Sequence, residues 1–306
     1  MTNFTQNNHL VYSIGGREYG VRETPIEPFT VSLGAADPNQ YKTSSYEQEL
    51  HRTADSVHQE FGNDLVVFLS GGTDSEIVLN NFLSIGVKPR CAVIKFNNDF
   101  NADDVNEAVR IAKDKDVKLD VIDFDVEEFF NSGIAKEFGD QVKCSQITYL
   151  MVYYNILQLA CPAVMGGEAL LTRQVTSLDS SWYYTFRENE DASAMRFSNI
   201  YNLPLVNEWF SYTPELLLYY LEDLDIQSLV TTRYNYKLTS VSSKNRILKT
   251  LCPYVTEKKK THGFESLLAF NYQSYKALGA DHVKRLEPSL DGILLETALS
   301  QLRAKL

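Results

Sequence analysis

Asp64-Leu-Val-Val-Phe-Leu-Ser-Gly-Gly-Thr-Asp-Ser75 runs an apolar segment straight into a glycine-rich turn, and the organisation of the chain is legible outward from it. Val66 to Leu69 form the continuous apolar run expected of a strand covered on both faces. Gly71 and Gly72 permit a tight turn and let backbone N–H groups approach an anion closely. Ser70, Thr73 and Ser75 add hydroxyl donors, and the helix expected next aims its positive end at the same spot. Leu69, Ser70, Gly71, Gly72, Thr73, Asp74 and Ser75 therefore read as a cradle for the phosphates of ATP. Asp74 is compatible with phosphate when a cation lies between them, and Mg²⁺ is the ordinary choice.

Around this turn the chain alternates strand and helix. A helix over Tyr46–Phe61, with Leu50, Ala54, Val57 and Phe61 at helical spacing, precedes the strand and closes at Gly62-Asn63. After the turn come a helix from about Asp74 to Ile85, a strand over Cys91–Phe96 and a helix from Ala102 to Lys115. That last helix carries Val105, Ala108, Val109 and Ala112 on one face. A strand over Leu119–Phe124, a helix capped by Ser145 and running to Leu159, and a strand over Ala163–Met165 continue the series. Connections of this length imply a doubly wound parallel sheet of α/β class, with all carboxyl ends of strands on one ligand-binding edge. Gly166-Gly167-Glu168 then converges with Ser70–Asp74 on that edge. Before the sheet, residues 1–44 read as a short β-rich lead, with Gly15-Gly16 flanked by hairpin strands and a further strand at Phe29–Leu33. Thr176–Asn199 reads as a long polar loop or lid. Thr213-Pro214-Glu215 opens a helix, and the chain from about residue 205 to Leu306 reads as predominantly helical.

Bulk properties narrow the class. The 306 residues, 44% hydrophobic and 23% charged, suit a soluble globular protein with ample core. No apolar run is long enough to span a bilayer, and Met1-Thr-Asn-Phe-Thr-Gln has no signal-peptide character, so a cytoplasmic location and no membrane partner are expected. A net charge of −11 argues against nucleic acid as the main partner. Cys91, Cys144, Cys161 and Cys252 form no C-x-x-C pair and read as buried thiols in a reducing compartment.

The pattern SGG-x-DS resembles the signature loop of the PP-loop ATP pyrophosphatases, and its five fixed letters match by chance at about one position in a million. Within that superfamily the chain is most similar to the synthetase domain of asparagine synthetases and β-lactam synthetases, over about Tyr46 to Phe264. Val164-Met-Gly-Gly-Glu-Ala169 resembles the family strand that ends in Ser-Gly-Glu-Gly-Ala-Asp-Glu. Pro204-Leu-Val-Asn-Glu-Trp-Phe210 is similar to the segment beginning Pro-Phe-Leu-Asp. Lys244–Pro253 followed by Lys258-Lys-Lys-Thr-His-Gly-Phe264 is similar to the helix, Leu-Pro and Arg-Pro-Lys-x-Gly-Phe series.

This resemblance implies an ATP-dependent, AMP-forming carbon–nitrogen ligase that activates a small carboxylate as its acyl-adenylate and passes it to ammonia or another amine. Asp74 would hold Mg²⁺, and Ser70, Gly72 and Ser75 would hold pyrophosphate. Glu168 would orient the nucleophile or accept its proton. Lys260 would offset phosphate charge, with Lys258 or Lys259 as substitutes because the spacing to Gly263 is one residue longer than in the family. Where the family has an aspartate three residues after the glutamate, this chain has Leu171, so Asp179 or Asp99 would have to serve or the metal site is reduced. The family's glutaminase cysteine is replaced by Thr2, and about sixty residues before the loop strand leave no room for that domain. Ammonia, an amine or a separate ammonia-supplying enzyme is then the nitrogen source. The division expected is a β-rich segment, 1–44, and a synthetase-like domain, 45–306.

The competing readings are an RNA nucleobase-modifying enzyme of the same superfamily, using Cys144 or Cys161 to carry sulfur, and a nucleotide-binding protein with a degenerate site. Arg173, Arg187, Arg196 and Arg233 are candidate grips for a substrate carboxylate, with solvated loop positions as the alternative. The pairs Tyr153-Tyr154, Tyr183-Tyr184 and Tyr219-Tyr220 suit core packing better than a pocket lining.

Overall fold

A computed structural model describes residues 10–18, 27, 29–33, 42–144, 147–167, 171–175, 180–186, 192–222, 252–255 and 293–294. Strand β1 (Leu10–Ile14) pairs antiparallel with β2 (Arg17–Glu18) and with β3 (Phe29–Leu33). Gly15 and Gly16 join the first two with φ of 56° and 78°, the doubly left-handed turn that a two-residue hairpin requires. Helix α1 (Tyr46–Phe61) starts at a capping box in which Ser45 and Gln48 exchange backbone-to-side-chain bonds of 3.3 Å each.

The centre of the molecule is a five-stranded parallel sheet. Its strands are β4 (Val66–Phe68), β5 (Arg90–Phe96), β6 (Leu119–Phe124), β7 (Ala163–Val164) and β10 (Leu205–Val206). They lie in the order β10-β7-β4-β5-β6, so the chain first moves outward from β4 and later returns to its other side. Helices α2 (Thr73–Ser84) and α3 (Ala102–Asp114) make the outward crossovers. Helices α4 (Val126–Asn131), α5 (Ile134–Val142) and α6 (Ile147–Leu159) carry the chain back to β7, and α7 (Ser193–Tyr201) leads into β10.

Two apolar cores result, one on each face, and the period of two along a strand divides its residues between them. Val67 and Val93 enter the core containing Leu50, Ala54 and Val57 of α1, Ile77 and Phe82 of α2, and Ala108 and Ile111 of α3. Val66, Phe68, Ala92 and Ile94 enter the other core with Phe129, Phe138, Tyr153, Ile156 and Phe197. Coverage of both faces accounts for the unbroken apolar run of β4, each such side chain contributing about 1.5–3 kcal/mol on burial. The doubly wound α/β sheet expected from the sequence is the one observed.

Differences are local. Val109 is 43% exposed, and Ile111 takes the buried place. The buried stripe of α3 is centred on Ala108, from which the next residue is turned by about 100° and the third by only about 60° the other way. The described parts of the expected lid over 176–199 are regular structure instead. β8 (Leu171–Val175) and β9 (Ser180–Phe186) pair as an antiparallel hairpin, and α7 follows. From residue 205 on, α8 (Pro214–Glu222) is helical as expected, but β11 (Ile293–Leu294) is a strand paired with β9. Most of that region lies outside the described residues. Among the described residues no helix is long and apolar enough to cross a membrane.

Phe82 is fully buried on α2, its ring centroid 5.4 Å from that of Trp209. Phe82→Ala is expected to cost about 3–5 kcal/mol of stability, measured by urea unfolding.

Candidate functional site

Order reversal between β4 and β7 creates a crevice at the carboxyl edge of the sheet, since the connections after these two strands leave to opposite faces. Three turns meet there: those after β4, β7 and β10.

The turn after β4 is the one singled out in the sequence. Leu69 is fully buried, and its N–H donates to Ala92 O at 2.8 Å, which carries the ladder one residue past the strand. Gly71 then adopts φ of 70°, and a Cβ there would lie 2.5 Å from Asp104 O of α3. Backbone conformation and contact therefore both demand glycine. Gly72 is the N-cap of α2 and provides no side-chain cap. The first N–H groups of a helix have no intrahelical acceptor, so they remain oriented toward the turn. The hydroxyls are already gathered: Ser75 Oγ donates to Gly72 O at 2.9 Å, Gly72 N–H donates to Ser70 Oγ at 3.3 Å, and the two serine oxygens are 3.3 Å apart. Ser70 is exposed, Gly72, Thr73 and Asp74 are half-buried, and Ser75 is buried. A concave set of N–H and O–H donors at a helix start is an anion site.

After β7, Met165 N–H donates to Val206 O at 2.8 Å, and Gly166-Gly167 follows. A Cβ on Gly166 would lie 2.9 Å from both Asp74 Cβ and Ser75 N, so this residue is seated directly on the first turn of α2. Gly167 has φ of 66°, and a Cβ there would lie 2.5 Å from Glu208 Oε2 and 2.7 Å from Asn207 O, in the turn after β10. The glycine pair thus brings the three turns into contact, which any side chain would prevent.

The other expected site residues divide into three groups. Glu168, Lys258, Lys259, Lys260, Asp179, Arg187, Arg233 and Ser145 lie outside the described residues. The turn Cys252–Val255 is described, with Cys252 and Val255 buried in the α1–α2 core. Burial, then Cys252, Glu47 and Glu76, raise the Tyr254 hydroxyl pKa, so this turn lies within electrostatic reach of the first turn of α2.

A second group is described. Asp99 is on the carboxyl edge after β5, exposed and 3.2 Å from Lys95 in an ion pair. Leu171 opens β8 opposite Tyr184, and Arg173 stands opposite Trp182 in the same hairpin. Arg196, read as a loop residue, is on α7 and only 5% exposed. The third group is core. Tyr153 is fully buried, and the Tyr154 ring lies 5.0 Å from Phe129 and 5.6 Å from Phe138. Cys144 is fully buried, while Cys161 precedes β7 at the opposite, amino-terminal edge of the sheet, where burial raises its thiol pKa. Burial also pushes Cys91 up to about 12 and Cys252 to about 11. These thiols are not activated as nucleophiles.

Asn207 and Glu208, at 2% and 9% exposure, were given no role by the sequence reading although their segment was noted. Their signal is a polar pair directly after the apolar Leu205-Val206 strand. Asp74 has one carboxylate oxygen shielded from solvent. Among the described residues no group of three or more His, Cys, Asp or Glu gathers as a metal cage. One carboxylate beside a phosphate cradle does fit Mg²⁺, which keeps several waters and takes most remaining ligands from phosphate oxygens.

Fold and turns together define an open α/β domain with an anion cradle at the switch point. No protein-family model and no curated protein matches the chain. Among solved structures it is similar to an NMN synthetase from Francisella tularensis, at 11% identity and TM-score 0.31 over 74% of this chain and 98% of that one. An NH3-dependent NAD synthetase from Campylobacter jejuni is similar at 14% identity and TM-score 0.30, over 82% and 95% of the two chains. A tRNA methyltransferase subunit from Methanocaldococcus jannaschii matches at 17% identity and TM-score 0.28, over 64% and 93%. Likenesses at this level carry no assignment of activity.

Gly71→Ala combines left-handed strain with the Asp104 contact and is expected to cost about 1–3 kcal/mol. Equilibrium unfolding of the variant beside Gly86→Ala checks this, since Gly86 also has positive φ (80°) but nothing within 4 Å of its Cβ position.

Proposed function

We propose that the chain is an ATP-dependent, AMP-forming carbon–nitrogen ligase of the PP-loop type, similar in chemistry to asparagine synthetases. The observation that carries this reading is the contact of Gly166-Gly167 with the glycine-rich turn on one side and with Asn207–Glu208 on the other. A phosphate cradle and a second, carboxylate-bearing turn then share one crevice, as a reaction between a nucleotide and a second substrate requires.

In this reading a carboxylate oxygen of a small acid attacks the α-phosphorus, an O–P bond forms, and the bridging P–O bond breaks to release pyrophosphate. Ammonia or a primary amine then attacks the acyl carbon, loses a proton to a base, and AMP leaves as the amide forms. Leu69 ends the strand, while the backbone of Ser70–Thr73 and the hydroxyls of Ser70 and Ser75 hold the departing phosphates. Asp74 holds Mg²⁺, which when bound neutralises phosphate charge. Glu168, next to Gly167, orients the amine or takes its proton. Lys260, or Lys258 or Lys259, offsets charge developing on the α-phosphate. Residues 45–306 act as one unit after the β-rich segment 1–44 in this account. A cytoplasmic location accords with four free cysteines. Small molecules, not nucleic acid, are the partners, and the burial of Cys144 with the raised pKa of Cys161 weighs against sulfur transfer.

Incubation with ATP, Mg²⁺, ammonium and a panel of carboxylic acids (aspartate, glutamate, simple aliphatic and aromatic acids) is expected to yield AMP and pyrophosphate in equal amounts. ADP and phosphate as products would overturn the proposal. Asp74→Ala should lower turnover by about 100-fold or more while the thermal unfolding midpoint is retained.

A further inference from the structure

The turn after β10 contains a donor that its surroundings do not use. Asn207 is 2% exposed, and its side-chain Oδ1 accepts a hydrogen bond from the Tyr153 hydroxyl at 3.1 Å. Tyr153 is itself fully buried on α6, its ring 5.3 Å from Phe197 of α7, so the hydroxyl that fixes the amide has little freedom to move. With Oδ1 engaged, the donor atom Nδ2 is shielded from solvent and has no acceptor among the described residues. A buried amide N–H without an acceptor opposes folding, and natural proteins retain few of them outside functional sites.

Its place in the sheet gives it a use. Val206 is in register with Val164, so Asn207 stands one residue beyond the parallel ladder on the ligand-binding edge. Its own carbonyl oxygen would be 2.7 Å from a Cβ on Gly167, the residue directly before Glu168. An amide donor immobilised there matches an oxygen acceptor, carbonyl or carboxylate, and not an amine.

We propose that Asn207, oriented by Tyr153, donates from Nδ2 to an oxygen of the acceptor acid and so helps determine which acids the crevice accepts. Tyr153 is then a positioning residue that acts through Asn207. The assignment rests on the ligase reading above. It separates the two substrates, with ATP on the turn after β4 and the acid on the turn after β10.

Kinetics of Asn207→Asp and Tyr153→Phe test it, using the acid of the panel that drives pyrophosphate release. The aspartate keeps an oxygen for Tyr153 and removes both amide donors. The acid KM is expected to rise by about 10- to 100-fold in Asn207→Asp and less in Tyr153→Phe, with the ATP KM within about twofold of the parent chain. If Asn207→Asp does not fold, Asn207→Ala is read the same way. An unchanged acid KM overturns the assignment alone, as does an equal rise in both KM values, which would mean a purely structural role. Failure of the unsubstituted chain to release pyrophosphate with any acid overturns the ligase reading and this assignment with it.

Discussion

Backbone pairing of β4 on both of its edges is the constraint from which the rest follows. Val66–Phe68 bonds in parallel to β5 on one side and to β7 on the other, although the latter is nearly a hundred residues away in sequence. A strand held this way has no solvent-facing edge and no solvent-facing side, so all its residues must be apolar, and all three are buried. It also stands where the direction of the sheet reverses. Whatever follows β4 therefore opens into the one crevice that a sheet of this order makes. The glycine-rich turn and a strand buried on both faces are adjacent in sequence for that reason.

Glycine converts this arrangement into a site. Gly71 fits between β4 and α3, Gly166 between β7 and α2, and Gly167 against the turn after β10. In each case the missing side chain lets backbone approach backbone within distances that no Cβ tolerates. The turn after β4 thus presents main-chain N–H groups and short hydroxyls. Such a turn suits phosphate, because fixed dipoles at a helix start stabilise negative charge without carrying a counter-charge of their own. Electrostatics elsewhere are ordinary surface pairing, such as Lys88 with Asp116 and Lys95 with Asp99.

The central sheet was legible because its signals are local and strong. Continuous apolar runs of strand length and the helical spacing of Leu50, Ala54, Val57 and Phe61 give the same answer at every level, and α1 occupies Tyr46–Phe61 as expected. The glycine-rich turn was legible because its glycines and hydroxyls are consecutive. Other features were hidden for definite reasons. β8, β9 and α7 carry polar and aromatic residues without a continuous apolar run, so composition alone resembled a loop. Arg196 is buried because α7 packs between cores, which no local pattern announces. Val109 differs from Ile111 only in its angle about the helix axis.

Sequence by itself determined the class of fold and singled out the glycine-rich turn after β4. These rest on residues near one another in the chain, whose conformational preferences act before any tertiary contact forms. Tertiary structure alone decided that Gly166, Gly167, Asn207 and Tyr153 belong with that turn. Their association depends on strands far apart in sequence becoming neighbours in a sheet. Register and burial, not local preference, bring such residues together.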